Sequence, residues 1–379
     1  MNVVSRFRDG FFDMDQVLQL LVVALLIIGF IAMTSASIEV AASRYGDAFY
    51  FAKRYAAHFC VAFALAVAVY STPVEVWQRS GWLWLLLGFL LLALVLVPGI
   101  GKEVNGSRRW LALGPLTLQV SEFVKLFMIF YLAGYLVRRR DEVRERWSGF
   151  IKPMAVLFAL TLLLMLEPDF GATVVTVGTA FVMIFLGGVK LGQFLLVILS
   201  CVSGAVALVI FEPYRMKRLT AFTDPWADQF NTGYQLTQSL IAFGRGELMG
   251  VGLGNSVQKL FYLPEAHTDF VFAIFAEEFG FLGTLLILTL FIALVGRILM
   301  IGRHAERIGQ QFHAFVAYGI ACMISAQAFI NMGVNTGLLP TKGLTLPFLS
   351  YGGSSLMVCL AMVALVARIE RECRGVHGK

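Results

Sequence analysis

Residues 82–96 read Trp-Leu-Trp-Leu-Leu-Leu-Gly-Phe-Leu-Leu-Leu-Ala-Leu-Val-Leu, an apolar run without a charged side chain. The run is continuous, whereas a strand of a membrane β-barrel alternates apolar and polar residues over roughly ten positions. Similar runs recur along the chain, in which 59% of the residues are hydrophobic and 14% are charged, and the mean hydropathy is +0.79. Such blocks are long enough to cross roughly 30 Å of bilayer hydrocarbon as helices. The sequence therefore predicts an all-α integral membrane protein.

The apolar blocks predict about ten transmembrane helices. We place them at residues 16–36, 51–70, 81–99, 118–137, 152–167, 170–188, 191–211, 268–300, 313–333 and 344–367. The whole chain, 1–379, then forms one polytopic membrane domain, with a large external loop at 212–267 between spans seven and eight. This loop is far longer than a helix connection requires, which is typical of a functional loop.

The basic residues predict the orientation, because short loops rich in Lys and Arg stay in the cytoplasm. They cluster before the first span, between spans four and five, after span eight and in the C-terminal tail. With ten spans, both termini are then cytoplasmic and the loops 37–50, 100–117, 212–267 and 334–343 are external. The net charge of +6 follows from this topology. Without a soluble domain to display it, the charge does not indicate nucleic-acid binding.

Three cations in the long loop, Arg215, Lys217 and Arg218, run against the rule that keeps basic residues inside. Arg binds phosphate oxygens through two parallel hydrogen bonds, as a site for a lipid pyrophosphate would require. The alternative is that these side chains contact anionic headgroups nonspecifically or lie in water. Further along, residues 235–243 have the pattern of an amphipathic helix along the membrane surface.

Glu122 and Lys125 lie three positions apart inside the fourth predicted span. This spacing places them on one helix face, where each can neutralise the other away from water. Such a pair is either purely structural or lends positive charge to a cavity. In the second case Arg109, in the preceding external loop, would add to an anion-binding wall.

The last external segment, residues 337–355, interrupts an apolar region with prolines and glycines. Broken helices in membranes are tolerated chiefly where they line a cavity within the protein. Lys342 and the hydroxyl of Ser350 lie in this segment, so we interpret it as a cavity wall. The alternative is a simple kinked hairpin between two spans.

Asp269 lies where a polar segment containing Pro264 runs into a long apolar helix. Burying a carboxylate without a partner costs several kcal/mol or forces it to take up a proton. An ionisable residue at the edge of a span is therefore a functional candidate. We interpret Asp269 as a catalytic base.

Five motifs, in the same order along the chain, resemble those of the SEDS family (shape, elongation, division and sporulation). They are Asn105-Gly106-Ser107-Arg108-Arg109-Trp110, Ser121-Glu122-Phe123-Val124-Lys125, Glu167-Pro168-Asp169-Phe170-Gly171, Pro264-Glu265-Ala266-His267-Thr268-Asp269-Phe270 and Ser350-Tyr351-Gly352-Gly353-Ser354-Ser355. The match spans nearly the whole chain. Residues 254–259 and 339–345 resemble the cell-division members of the family more than its elongation members.

The resemblance implies a peptidoglycan glycosyltransferase at the outer face of the bacterial inner membrane, acting at the division septum. Its substrates would be lipid II, an undecaprenyl-pyrophosphate-linked disaccharide pentapeptide, and the growing glycan strand. The product would be a β-1,4 glycan, with release of undecaprenyl pyrophosphate. The implied partners are a class B penicillin-binding transpeptidase (FtsI-like) and other division membrane proteins (FtsQ-, FtsL- and FtsB-like). Asp269 matches the family's catalytic aspartate, and Glu122 with Lys125 matches its intramembrane ion pair.

Charge and placement lead us to assign the pyrophosphate contacts. The predicted contact residues are Arg109, Lys125, Arg215, Arg218, Lys342 and Ser350. A divalent cation, Mg²⁺ or Mn²⁺, is an alternative source of positive charge, and the sequence assigns no metal ligand or other cofactor site.

Two other functions stay open. A lipid II flippase would use titratable groups deeper in the bundle, and a scaffold would only recruit the transpeptidase and other division proteins. Asp269 discriminates between them and the enzyme.

Overall fold

The computed structural model describes residues 15–104, 107–114, 116–210, 222, 224–231, 233–340 and 343–377. The helices are α1 Gln16–Tyr45, α2 Tyr50–Ser71, α3 Val74–Leu96, α4 Val120–Arg138, α5 Arg140–Glu145, α6 Trp147–Leu166, α7 Phe170–Leu186, α8 Leu191–Ile210, α9 Tyr234–Gly246, α10 Val271–Arg307, α11 Gln311–Asn335 and α12 Gly353–His377. The strands are β1 Gly101–Val104, β2 Ser107–Leu113 and β3 Leu116–Gln119.

Eight of the helices in the described ranges are long and apolar enough to cross a membrane, namely α1, α2, α3, α4, α6, α10, α11 and α12. Two shorter apolar helices, Phe170–Leu186 and Leu191–Ser200, coincide with the sixth and seventh predicted spans. The predicted helical, multi-pass membrane architecture is confirmed. The total of ten spans and the cytoplasmic position of both termini stay predictions.

The bundle is built around α4 and α12, because 83% and 89% of their apolar windows are buried inside the protein. The corresponding share is only 28% for α2 and α3. Outer helices therefore keep large apolar side chains exposed, such as Leu20 and Phe158. In a bilayer this surface faces lipid tails, which are as apolar as the side chains themselves.

The tenth predicted span was wrong at its start, because residues 344–352 are not helical and α12 begins only at Gly353. Pro347 cannot donate a backbone hydrogen bond, and the amide of Tyr351 donates to the carbonyl of His267 at 2.9 Å. The irregular segment packs closely on α1, where Gly29 makes room for it. A Cβ on Gly29 would lie 2.8 Å from the Cα of Leu349.

An antiparallel sheet in the order β1-β2-β3 spans residues 101–119, in the predicted external loop 100–117 and the first two residues of the predicted fourth span, and was not predicted from the sequence. Its strands have four, seven and four residues, too few for an alternating pattern to stand out. Trp110 pairs with Lys102 on one side and with Gln119 on the other. Because β3 ends at Gln119 and α4 begins at Val120, the sheet is fixed directly on the core helix.

Helix α10 has 37 residues, roughly 55 Å at helical rise, which exceeds the bilayer hydrocarbon. It is broken at Gly280, whose φ of 68° is outside the helical range. Just before the break, the buried carboxylates of Glu277 and Glu278 bind the preceding loop. Glu277 accepts from the Ser256 hydroxyl at 2.5 Å, and Glu278 accepts from the Lys259 ammonium at 2.9 Å. These contacts fix the segment that leads into Asp269.

Candidate active site

Asp269 lies two residues before α10 and is half-buried. Its carboxylate lies against the irregular segment that follows α11, because a Cβ placed on Gly343 would be 2.9 Å from Asp269 Oδ2. A side chain at position 343 would therefore displace the carboxylate. The site is formed where the start of α10 meets this irregular segment.

The environment raises the pKa of Asp269 to about 7, chiefly because the carboxyl is withdrawn from water. The neighbouring carboxylates of Glu265 and Asp169 raise this pKa further, and the guanidinium of Arg109 opposes them. A carboxyl with a pKa near neutrality is both substantially ionised and a competent base at neutral pH. The position and the pKa of Asp269 suit proton abstraction.

Among the described residues, Arg109 on β2 is the cation whose charge favours the ionised form of Asp269. Its guanidinium donates to the carbonyls of Glu167 at 3.1 Å and Pro168 at 2.6 Å, which lie just after the end of α6. Arg109 Nη1 lies 3.9 Å from Asp169 Oδ1, and the side chain is 24% exposed. Arg109 thus joins the sheet to the α6–α7 turn and still presents part of its charge to the surface.

Asp169 and Glu167, in the turn between α6 and α7, have contrasting surroundings. Asp169 caps α7 by accepting from the Ala172 amide at 3.2 Å, and it accepts from the Ser121 hydroxyl at 2.7 Å. Glu167 is fully buried, and among the described residues neither of its carboxyl oxygens has a hydrogen-bond partner. Burial, followed by the charge of Asp169, raises the pKa of Glu167 to about 8, against the effect of Arg109. Glu167 is therefore mostly protonated at neutral pH.

Glu122 and Lys125 are in contact inside the bundle. Lys125 Nζ lies 2.8 Å from Glu122 Oε1 and 3.0 Å from the amide oxygen of Gln327 on α11. Both side chains are buried, and that of Lys125 has no exposed surface. This geometry favours the structural interpretation of the pair over a direct contact between Lys125 and a phosphate.

Ser350 is also buried, and its hydroxyl accepts from the Leu346 amide at 2.7 Å. It stabilises the turn of its own segment. Three of the predicted pyrophosphate contacts, Arg215, Arg218 and Lys342, lie outside the described residues.

A row of amides on α11 was missed by the sequence analysis. Gln327, Asn331 and Asn335 are spaced four residues apart in an apolar helix and are buried. Asn331 and Asn335 both donate to the carbonyl of Asp269, at 2.9 and 3.0 Å. Gln327 donates to the carbonyl of Thr345 at 3.1 Å. The four-residue spacing, which places side chains on one helix face, is the signal that could have found them.

Among the described residues, no three or more His, Cys, Asp or Glu side chains are grouped so that they could hold a metal ion. Mg²⁺ held by one or two carboxylates and the phosphates of a substrate needs no such group, so the divalent cation stays a prediction.

Comparison with known proteins identifies the family. The sequence model described as "Cell cycle protein", which covers the FtsW, RodA and SpoVE proteins, matches residues 15–375. The chain belongs to this family. Two relatives named "Probable peptidoglycan glycosyltransferase FtsW" are similar over nearly the whole chain. The one from Pseudomonas fluorescens is 55% identical over 93% of this chain and 86% of its own length. The one from Halomonas elongata is 52% identical over 99% of this chain and 96% of its own.

Solved structures of the family agree with the fold. One, described as "Structural coordination of polymerization and crosslinking by a peptidoglycan synthase complex", matches with a TM-score of 0.79 and 29% identity over 95% of this chain and 98% of that one. The rod shape determining protein RodA of Thermus thermophilus matches with a TM-score of 0.70 and 27% identity, over 95% of this chain and 97% of that one. The family predicted from the sequence motifs is confirmed.

Proposed function

We propose that this protein is a peptidoglycan glycosyltransferase that joins lipid II into β-1,4-linked glycan strands and releases undecaprenyl pyrophosphate, with Asp269 as the catalytic base. The observation that carries the proposal is the half-buried carboxyl of Asp269, whose pKa is about 7, at the junction of α10 and the irregular segment. The names of the relatives, "Probable peptidoglycan glycosyltransferase FtsW", support the same activity.

In the proposed reaction, Asp269 takes the proton from the 4-hydroxyl of the acceptor sugar as the hydroxyl oxygen attacks the anomeric carbon of the donor. A carbon–oxygen bond forms, and the bond between the anomeric carbon and the pyrophosphate breaks. The pyrophosphate leaves with the bonding electrons, and positive charges stabilise it. Among the described residues, Arg109 is placed to contribute one of these positive charges. We propose that Arg215, Arg218 and Lys342 contribute the others. Pyrophosphate is a good leaving group, so a separate general acid is not required.

We further propose that the protein acts in the bacterial inner membrane at the division septum, with both termini cytoplasmic and the loop 212–267 external. A class B penicillin-binding transpeptidase is the proposed partner, together with further division membrane proteins. The match to a solved peptidoglycan synthase complex described by polymerization and crosslinking supports a crosslinking partner.

The test is polymerisation of purified lipid II in detergent, where no bilayer separates two compartments. The protein is purified together with its transpeptidase partner, and glycan chain length is measured on gels. Wild type is expected to form polymer, and Asp269→Asn is expected to lose polymerisation while keeping its melting temperature and partner binding. The matched control is Asp47→Asn. Asp47 lies in the α1–α2 loop, and its partly exposed carboxylate is paired with Lys53. This variant is expected to polymerise as wild type does.

The outcomes separate the alternatives. Equal polymerisation by wild type and Asp269→Asn would refute Asp269 as the base and indicate a contaminating polymerase. If no polymer forms but lipid II moves across liposome membranes, the protein is a flippase and not a glycosyltransferase. If the protein binds its partner but shows neither activity, it is a non-catalytic scaffold. For the enzyme, the rate should fall about tenfold per pH unit below about 7, as the base becomes protonated.

A further inference from the structure

We propose that Asn331 and Asn335 of α11 are positioning residues for Asp269, because their side-chain amides fix its backbone and hold its carboxylate against the segment that begins at Gly343. The inference rests on the proposed role of Asp269. It assigns no substrate contact to either asparagine.

The contacts converge on one backbone carbonyl. The oxygen of Asp269 accepts from Asn331 Nδ2 at 2.9 Å and from Asn335 Nδ2 at 3.0 Å. Asn331 Nδ2 also donates to the carbonyl of Leu344 at 2.5 Å. A single amide therefore joins the two segments that form the site. Both asparagines are buried, with 2% and 0% exposure, so water does not readily replace these hydrogen bonds if the amides are removed.

Asn335 also links two backbone groups that a regular helix would pair directly. In a regular helix the amide of Ala273 would donate to the carbonyl four residues earlier, that of Asp269. Here the amide of Ala273 donates to the carbonyl of Phe270 at 3.0 Å and to Asn335 Oδ1 at 3.2 Å, while Asn335 Nδ2 donates to the carbonyl of Asp269 at 3.0 Å. The side chain of Asn335 thus bridges the open first turn of α10. Asp269 is held outside the helix with its carbonyl satisfied.

The row of buried amides on α11 extends to the Glu122–Lys125 ion pair. Gln327, one turn before Asn331, donates to the carbonyl of Thr345 at 3.1 Å and accepts from Lys125 Nζ at 3.0 Å. Residues 344 and 345 are therefore held by two successive side chains of one rigid helix. At the other end, the hydroxyl of Ser239 on α9 donates to the carbonyl of Asn335 at 2.7 Å. The row of amides that positions Asp269 is therefore held at one end by Lys125 and at the other by Ser239.

Among the described residues, the charged groups that act on Asp269 come from its own segment and from two other elements. Glu265 belongs to its own segment, Arg109 to β2, and Asp169 to the start of α7. The asparagines of α11 are neutral. Replacing Asn331 by Ala removes no charge, so a change in the pH dependence would come from movement and hydration of the carboxyl. More water around Asp269 would lower its pKa towards the ordinary value.

The test is the pH profile of lipid II polymerisation for Asn331→Ala and Asn335→Ala, measured with the transpeptidase partner present. We expect kcat to fall by roughly 10- to 100-fold, since displacement of a catalytic group by about 1 Å has effects of this size. KM should change less than about threefold, because neither side chain binds substrate in this scheme. The acid limb of the profile, which is the fall in rate as Asp269 becomes protonated, should move to lower pH. Adding Asn331→Ala to Asp269→Asn should cause no further loss.

The control is Ser325→Ala on the same helix, whose hydroxyl donates to the carbonyl of Cys322 in α11 itself. It is expected to keep the wild-type kcat and acid limb. Asn331→Ser, which retains one donor in a smaller side chain, is measured alongside and should lie between wild type and Asn331→Ala.

Three results decide the matter. A lower rate with an unmoved acid limb in both asparagine variants would indicate a general structural role and overturn the proposal. Wild-type kinetics in both variants, with Asp269→Asn inactive, would also overturn it and leave the catalytic assignment intact. Full activity of Asp269→Asn would instead refute the proposed function on which the inference rests.

Discussion

Replacing one member of the Glu122–Lys125 pair should destabilise the protein more than replacing both. The two charges lie 2.8 Å apart and are buried, and their attraction is about 6 kcal/mol at an effective dielectric constant of roughly 20. Removing one partner of a buried pair typically costs about 3–5 kcal/mol, because the other charge is left in the protein interior. Substituting both by apolar side chains of similar size removes that penalty.

The perturbations are Glu122→Met, Lys125→Met and the double variant. The single substitutions are not equivalent, because Lys125 keeps the oxygen of Gln327 at 3.0 Å when Glu122 is lost. Among the described residues, Glu122 has no hydrogen-bond donor other than Lys125. Lys125→Met is therefore expected to be the more damaging change. The double variant should lie within about 2 kcal/mol of wild type.

The assay is thermal melting in detergent at fixed protein and detergent concentrations. For a chain of this size, the single variants should lower the melting temperature by roughly 4–6 °C, and the double variant by less than either. An internal control is Arg139→Met, which removes an exposed arginine that has the same three-residue spacing from its partner, Glu142, at 3.3 Å. This substitution should cost less than about 1 kcal/mol. A double variant as unstable as the worse single variant would refute the pairing argument.

Three further predictions concern other groups. Glu167→Gln should raise the melting temperature near pH 8 and flatten its pH dependence. Because the pKa of Glu167 is raised to about 8 in the folded protein, the folded state loses stability relative to the unfolded state as the pH rises from about 4.5 to 8. A difference in melting temperature between Glu167→Gln and wild type that does not change with pH would contradict this prediction. Arg109→Gln should move the acid limb of polymerisation to higher pH, because Arg109 lowers the pKa of Asp269; an unchanged limb would remove Arg109 from the electrostatics of the base. In a cysteine-free background, an impermeant thiol reagent added outside intact cells should label a cysteine at exposed Asn231 but not one at exposed Arg303, and labelling of position 303 would reverse the predicted orientation.

Continuous apolar runs made the helical membrane architecture predictable, and isolated charges marked Asp269 and the Glu122–Lys125 pair as candidates. A continuous run such as 82–96 favours a membrane helix over a barrel strand, and a lone carboxylate at the edge of such a helix is conspicuous. Glu122 and Lys125 could be paired because a three-residue spacing fixes a shared helix face. These inferences depend only on local sequence, so they did not require knowledge of the tertiary contacts.

The elements that sequence analysis missed depend on contacts between distant segments. The strands of residues 101–119 are short, and α12 begins late because the backbone of Tyr351 binds that of His267. Glu277 and Glu278 resemble a charged break within a span until the loop that they bind is known. An asparagine in an apolar helix likewise gives no indication of which carbonyl it binds.

The use of neutral amides around Asp269 has an electrostatic consequence. A cation hydrogen-bonded to this carboxylate would also fix it, but would lower its pKa by favouring the charged form. The carboxylate would then be a weaker base at neutral pH. Asn331 and Asn335 instead bind the backbone carbonyl of Asp269. Among the described residues, the cation that acts on the carboxyl is Arg109, and its guanidinium donates to carbonyls of the α6–α7 turn. The amides thus fix the backbone without adding a charge beside the carboxyl, so the carboxyl stays withdrawn from water and burial keeps its pKa high.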